Sequence, residues 1–159
     1  MLQLPPPLIK SLKIFTLAAL LLFIILIFFH TDSAITQDLG RHLTLGKIIW
    51  EKKFIPTTNL FSYTNPDFPA LNHHWGSQII FYLLDQAVKI EGLIIIKVII
   101  ISIAVLLLVL FTIKKANFFL TVAVGILSME IFRERTEIRP EIFAYLIFSL
   151  LLFILYKNK

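Results

Sequence analysis

The chain has 159 residues, 58% of them hydrophobic and 16% charged, with a formal net charge of +5 and no cysteine; its mean hydropathy is +0.87. These values exclude a soluble domain and leave room for one compact unit. Disulfide and thiol chemistry are excluded with the cysteines. The basic residues stand in pairs beside apolar runs, not in a patch interleaved with aromatics, so no nucleic-acid partner is expected. The expectation is an all-α integral membrane protein, a single membrane domain over 1–159 with the lipid bilayer as its first partner.

In chain order, residues 1–13 read as a cytoplasmic tail, extended at Pro5-Pro6-Pro7 because proline resists the helix interior. The first span is 14–29, roughly 24 Å long at 1.5 Å per residue, so Lys10 and Lys13 must snorkel if it is to cross. It is not a cleaved leader: a cut after Ala34 would put Asp32 at a position that requires a small residue. An external loop, 30–91, follows. Within it, apolar residues recur at helical spacing over 38–53 and again over 75–88. Turn residues fill Ile55 to Asn59 and Asn65 to Pro69. Both helices are expected to lie in the membrane interface, with Trp50 and Trp75 at headgroup level and Phe61 and Tyr63 packed beneath the loop.

Glu91-Gly92 is expected to break the second interfacial helix before a second span, 93–113, in which Lys97 snorkels. A third span, 118–132, an external turn, 133–141, and a fourth span, 142–156, complete the pattern. Pro140 heads the last of these, where its missing N–H costs nothing. The rival for 118–156 is a re-entrant hairpin, because both segments are short. About four transmembrane helices with two interfacial helices is therefore the expected fold.

Charge orients them. Lys10, Lys13, Lys114, Lys115, Lys157 and Lys159 fall at one set of ends with no acid among them, whereas the other ends mix both signs. That is the positive-inside pattern with a cytoplasmic N-terminus, and it puts both polar segments on the external side.

Three strings then carry a resemblance. Asp38-Leu39-Gly40 with His42-Leu43 and Gly46, then Ile55-Pro56 with Phe61-Ser62-Tyr63-Thr64, then Asn72-His73 with Trp75, resemble the first external loop of bacterial membrane glycosyltransferases of the GT-C superfamily. The groups in question are related to the dolichyl-phosphate-mannose protein mannosyltransferases and to rhizobial lipopolysaccharide sugar transferases. Ile138-Arg139-Pro140-Glu141 resembles an arginine-proline turn further along such chains. The resemblance covers about residues 10–156. It implies a multi-pass protein of the bacterial inner membrane that takes a sugar from a lipid-linked, polyprenyl-phosphate donor. It also implies Asp38 as the catalytic carboxylate, serving as general base or helping to hold a metal ion and the acceptor.

Two departures stand out. Relatives often carry an acid two residues before this aspartate, where this chain has Thr36. They also have about twice as many spans, so the chain is expected to be a truncated part of a longer fold, which a second membrane chain would complete.

The chemistry can be argued from the residues. An acceptor hydroxyl needs a carboxylate within hydrogen-bond reach, and the leaving phosphate needs cationic forks. Arg135 and Arg139, four apart, are the candidates, and His42, His73 and His74 join them as substrate-binding residues. The plainer readings are a helix cap for Asp38 and local ion pairs for the arginines, with Glu130, Glu134, Glu137 and Glu141 at hand.

No cofactor is expected, with a divalent metal as the weakly supported alternative. A lone carboxylate is a poor site for a hard divalent cation, and the histidines lack zinc spacing. The alternative function is non-enzymatic, a small membrane partner or transport subunit whose interfacial helices dock another protein. Lys97 and Glu130 would then be its functional residues.

Overall fold

The computed structural model describes residues 5–29, 37–112, 116–132 and 137–157. Among them it forms five helices and no strand: α1 (Pro6–Phe28), α2 (Gln37–Lys52), α3 (Trp75–Thr112), α4 (Phe118–Phe132) and α5 (Glu141–Lys157). Two of these, α1 and α3, are long and apolar enough to cross a membrane; α4 and α5 are shorter apolar helices. The chain divides into two units. One comprises Met1–His30, Ile95–Thr136 and Glu141–Lys159, and the other Thr31–Ile94 with Glu137–Pro140.

In the first unit, α1 starts eight residues earlier than 14–29 predicts. Pro6 and Pro7 occupy its first turn and Pro5, with φ −61° and ψ 142°, caps it in extended geometry. The first-turn N–H groups have no partner inside a helix, so proline is tolerated there and the 1–13 tail is helical from Pro6 onward. The helix packs on α4. Leu20, Ile24, Ile27 and Phe28 of α1 join Val98, Ile101 and Val109 of α3 and Phe118 and Val122 of α4 in one buried cluster. The outward faces remain apolar: Phe15, Leu26, Leu127 and Ile147 are all exposed. A surface of that kind calls for an apolar solvent. Lys97 departs from expectation, because it has no exposed surface at all and so does not run out toward the headgroups.

In the second unit, α2 lies against the first turns of α3. Contacts advance together along both helices, from His42 with Gln78 to Gly46 with Gln78 and Tyr82 and then Glu51 with Tyr82. The two segments therefore run in the same sense, which obliges the chain to travel back through 53–74. Gly46 permits the close approach. A Cβ there would overlap the Gln78 carbonyl, with its carbon at 2.7 Å, and the Tyr82 Cβ at 2.9 Å. Leu39, Leu45, Ile49 and Phe81 are buried, while Trp50 and Trp75 are half exposed.

The return segment is held by turn chemistry. Lys53 ends α2 in the left-handed region (φ 53°), its N–H bonding the Ile49 carbonyl at 2.9 Å as in a helix C-terminal cap. Its ammonium sits 3.9 Å from the centroid of the Trp50 ring. Asn59 N–H donates to Phe68 O (3.0 Å) and Ala70 N–H to Thr57 O (2.8 Å), closing a narrow hairpin around the Thr58–Pro69 bridge. Phe61 and Tyr63 do not pack beneath this loop. Phe61 is half exposed with the Arg41 guanidinium 6.0 Å from its centroid, and Tyr63 is wholly exposed.

The helix expected to end at Glu91-Gly92 breaks instead at Lys89, where φ is 59° and ψ −174°. Gly92 stays helical and has a different task. A Cβ at that position would collide with the Val88 side chain, which the break has folded back onto it. The expected division into a helix over 75–88 and a long apolar helix after it holds, with the boundary moved two to three residues earlier.

Candidate functional site

Five of the six residues singled out by sequence, Asp38, His42, His73, His74 and Arg139, fall inside the second unit. Asp38 lies in the first turn of α2, and Arg139 lies in the Glu137–Pro140 segment just before α5. The Arg139 guanidinium meets Asp38 with Nη2 3.1 Å from Oδ2, and its Nε faces the Glu137 carboxylate. Ile138, between these two charged residues, is buried to 1% exposure and anchors the segment. Its burial fixes Glu137 and Arg139 on either side of it, their side chains 29% and 33% exposed, with Asp38 more accessible at 48%. Residues a hundred positions apart in sequence thus form a carboxylate–guanidinium–carboxylate group. Its two pairs use Nη2 and Nε, and Nη1 belongs to neither. Arg135 lies outside the described residues.

One helical turn beyond Asp38 on α2 stands His42. Its Nδ1 is 3.2 Å from the Nε2 of Gln78, whose Oε1 accepts a 2.8 Å hydrogen bond from the Asn72 amide. The His74 ring meets His42 edge-on at 5.9 Å between centroids, and His73 lies against His74 at 4.0 Å. The His74 carbonyl accepts from Ser77 Oγ (2.9 Å) and from Gln78 N–H (3.0 Å), tying the histidine turn to the start of α3. His73 points its Nδ1 toward the Leu71 carbonyl at 3.4 Å. Beside Asn72 a surface pocket of about 520 Å³ is walled by Pro56, Thr57, Ala70, Leu71 and Trp75.

The plain readings are realised only in part. Arg139 does pair locally, with Glu137, but its second pair reaches the aspartate that the loop pattern marks out. Among the described residues no group of three or more His, Cys, Asp or Glu side chains is arranged to hold a metal ion.

Sequence reasoning passed over Gln78. Gln78 is 2% exposed, a buried amide on an otherwise apolar helix face. The available signal was its place in the register of Trp75, Gln78 and Tyr82, which share one side of α3.

The first unit holds a separate feature, an apolar groove of about 540 Å³. Ile101 and Leu108 of α3, Leu120 and Val124 of α4, and Tyr145 and Phe148 of α5 line it. The chain matches no family model, and no curated protein or solved structure shows significant similarity to it.

Proposed function

We propose that the chain acts as a membrane glycosyltransferase, moving a sugar from a polyprenyl-phosphate donor to an acceptor hydroxyl at the external face of a bacterial inner membrane. In this reading α1, the apolar part of α3, α4 and α5 are four spans with the N-terminus cytoplasmic. The α2 helix and residues 75–88 lie in the external interface. The observation that carries the proposal is the Asp38–Arg139 pair at 3.1 Å, which joins the two polar segments that charge patterning assigns to one membrane face. The apolar groove in the first unit supports it as a bed for an isoprenoid chain.

The chemistry follows from these groups. Asp38 takes the proton of the acceptor hydroxyl as its oxygen attacks the anomeric carbon. The bond from that carbon to the phosphate oxygen breaks, and the phosphate leaves with the electron pair. One displacement inverts the anomeric centre. Arg139 holds Asp38 in line and offers Nη1 to a phosphate oxygen, a role suited to a planar fork with five N–H donors.

The test is transfer from a lipid-linked sugar by membranes containing the protein, native or Asp38→Asn. The substitution keeps the side-chain size and removes the base, so turnover should fall by about 10²-fold or more with unchanged membrane insertion. Native turnover in the variant would end the assignment.

A further inference from the structure

Between α2 and α3 the return segment leaves its large apolar side chains uncovered. Phe54, Leu60, Phe61, Tyr63, Phe68 and Leu71 are all exposed, Leu71 to 90%. Phe68 and Leu71 stand three residues apart on one extended arm, so they fall on opposite faces of the hairpin. Both faces are therefore apolar and open. A docked protein surface would cover one face of so narrow a ribbon, whereas a lipid interface takes in both.

The backbone suits a medium poor in water. The N–H groups of Asn59, Ser62, Phe68 and Ala70 bond backbone carbonyls within the segment. Those of Phe61 and Asn65 bond Asn59 Oδ1 and Ser62 Oγ, and Pro66 and Pro69 have no N–H to satisfy. Groups already bonded lose little when water is withdrawn. Asp67 is the only charged residue between Phe54 and Leu71. The flanking cations of Lys53 and Arg41 lie against the Trp50 and Phe61 rings, the mixture of aromatic and basic groups found at headgroup level. The α3 helix, which receives the segment, runs on as a helix long and apolar enough to cross a membrane.

We propose that the hairpin over 54–71 is seated in the headgroup–acyl boundary of the bilayer, with Leu60, Phe68 and Leu71 against acyl chains. Tyr63, Asn65 and Asp67 stay among the headgroups, within reach of water. The pocket at the base of the hairpin gives an acyl chain room between Pro56, Leu71 and Trp75. The proposal rests on α1 and α3 as membrane spans and on no step of sugar transfer.

The chain has no cysteine, so Leu60→Cys, Phe68→Cys and Leu71→Cys can each carry a single nitroxide in the full protein. Ile99→Cys, exposed on the apolar part of α3, marks the acyl region, and Lys47→Cys, exposed on the polar side of α2, marks water. In vesicles of phosphatidylcholine, power saturation compares collision with oxygen, which concentrates among acyl chains, and with a water-soluble nickel chelate. Labels at 60, 68 and 71 should all shift toward oxygen, to values between those of Lys47→Cys and Ile99→Cys. Should Phe68→Cys fail to fold, Ala70→Cys, two residues on and on the same face, takes its place.

Hairpin labels that match Lys47→Cys overturn the proposal, and so does an oxygen preference on one face alone. Shielding from both reagents means that protein covers the hairpin, and overturns it as well; if the shielding lifts on dilution into more lipid, the cover is a second copy. An Ile99→Cys label that reads as water removes the spans on which the proposal rests. Depth is read alike in either leaflet and in a chain that transfers no sugar. Failure of the transferase reading therefore leaves the seated hairpin standing, and the reverse also holds.

Discussion

At Arg139 one side chain answers to two carboxylates, and the geometry decides what a substitution does. Its Nη2 reaches Asp38 and its Nε reaches Glu137, a division that a planar fork manages and a single ammonium does not. Truncation would leave two acids facing a common space with no cation between them. Arg139→Lys should therefore keep part of the turnover, and Arg139→Ala should lose on the order of 10²-fold. The pairing also predicts non-additivity. If Arg139 works chiefly by aligning Asp38, the double variant Asp38→Asn with Arg139→Ala should be little worse than Asp38→Asn alone. Independent losses that multiply in the transfer assay would separate the two residues. Asp38 and Arg139 were both legible in the sequence, because charged residues in an apolar chain are conspicuous. The contacts linking Asn72, Gln78 and His42 were not, since amides carry no charge and their partners are set by how two helices meet.

At the scale of elements, the local pattern located helices well and their ends less well. Spacing placed α2 and the helix over 75–88 within a residue, because each buries one face and the turn residues between them are unambiguous. The start of α1 was hidden by a run of prolines that reads as a breaker but sits in a first turn. The break in α3 was assigned to a glycine, whereas the backbone turns at Lys89 and uses Gly92 only as room for Val88.

At Lys89 two consequences of placing a glycine oppose each other. A lysine near φ 59° and ψ −174° carries about 1–3 kcal/mol of strain, and glycine does not. Glycine in turn adds about 0.4–1 kcal/mol of unfolded-state entropy. Relief of strain outweighs the added entropy, so Lys89→Gly should raise the midpoint of thermal unfolding in detergent; an unchanged or lower midpoint would show a relaxed backbone there. Gly46→Ala should act in the opposite sense. The new methyl meets a backbone carbonyl, so the helices must move apart, at about 1–3 kcal/mol.

For the whole molecule the decisive quantity is the side of the membrane on which each polar segment emerges, and the distribution of charge gives an expectation that can be tested. Lys10, Lys13, Lys114, Lys115, Lys157 and Lys159 stand without acids at one set of helix ends, while Asp38, Glu51, Asp67 and Glu91 balance the lysines of the 30–91 loop. Only positive charge near short loops orients a span, so the transferase reading requires the unbalanced lysines in the cytoplasm and the loop outside.

The chain lacks cysteine, which makes each introduced thiol unique. Asn65 suits one probe: its N–H and carbonyl bonds in the hairpin are backbone groups that survive substitution. At the other end Asn117 is a poor choice, because its Oδ1 caps α4 by accepting from the N–H groups of Phe119 (3.0 Å) and Leu120 (3.3 Å). Losing such a cap costs about 1 kcal/mol. Ala116 is exposed and caps nothing, so Ala116→Cys is the clean partner to Asn65→Cys. An impermeant maleimide applied to intact cells should label Asn65→Cys and reach Ala116→Cys only after the membrane is opened. Labelling in the reverse order would place Asp38 in the cytoplasm, on the wrong side for a donor presented at the external face, and would remove the topological ground for the transferase reading.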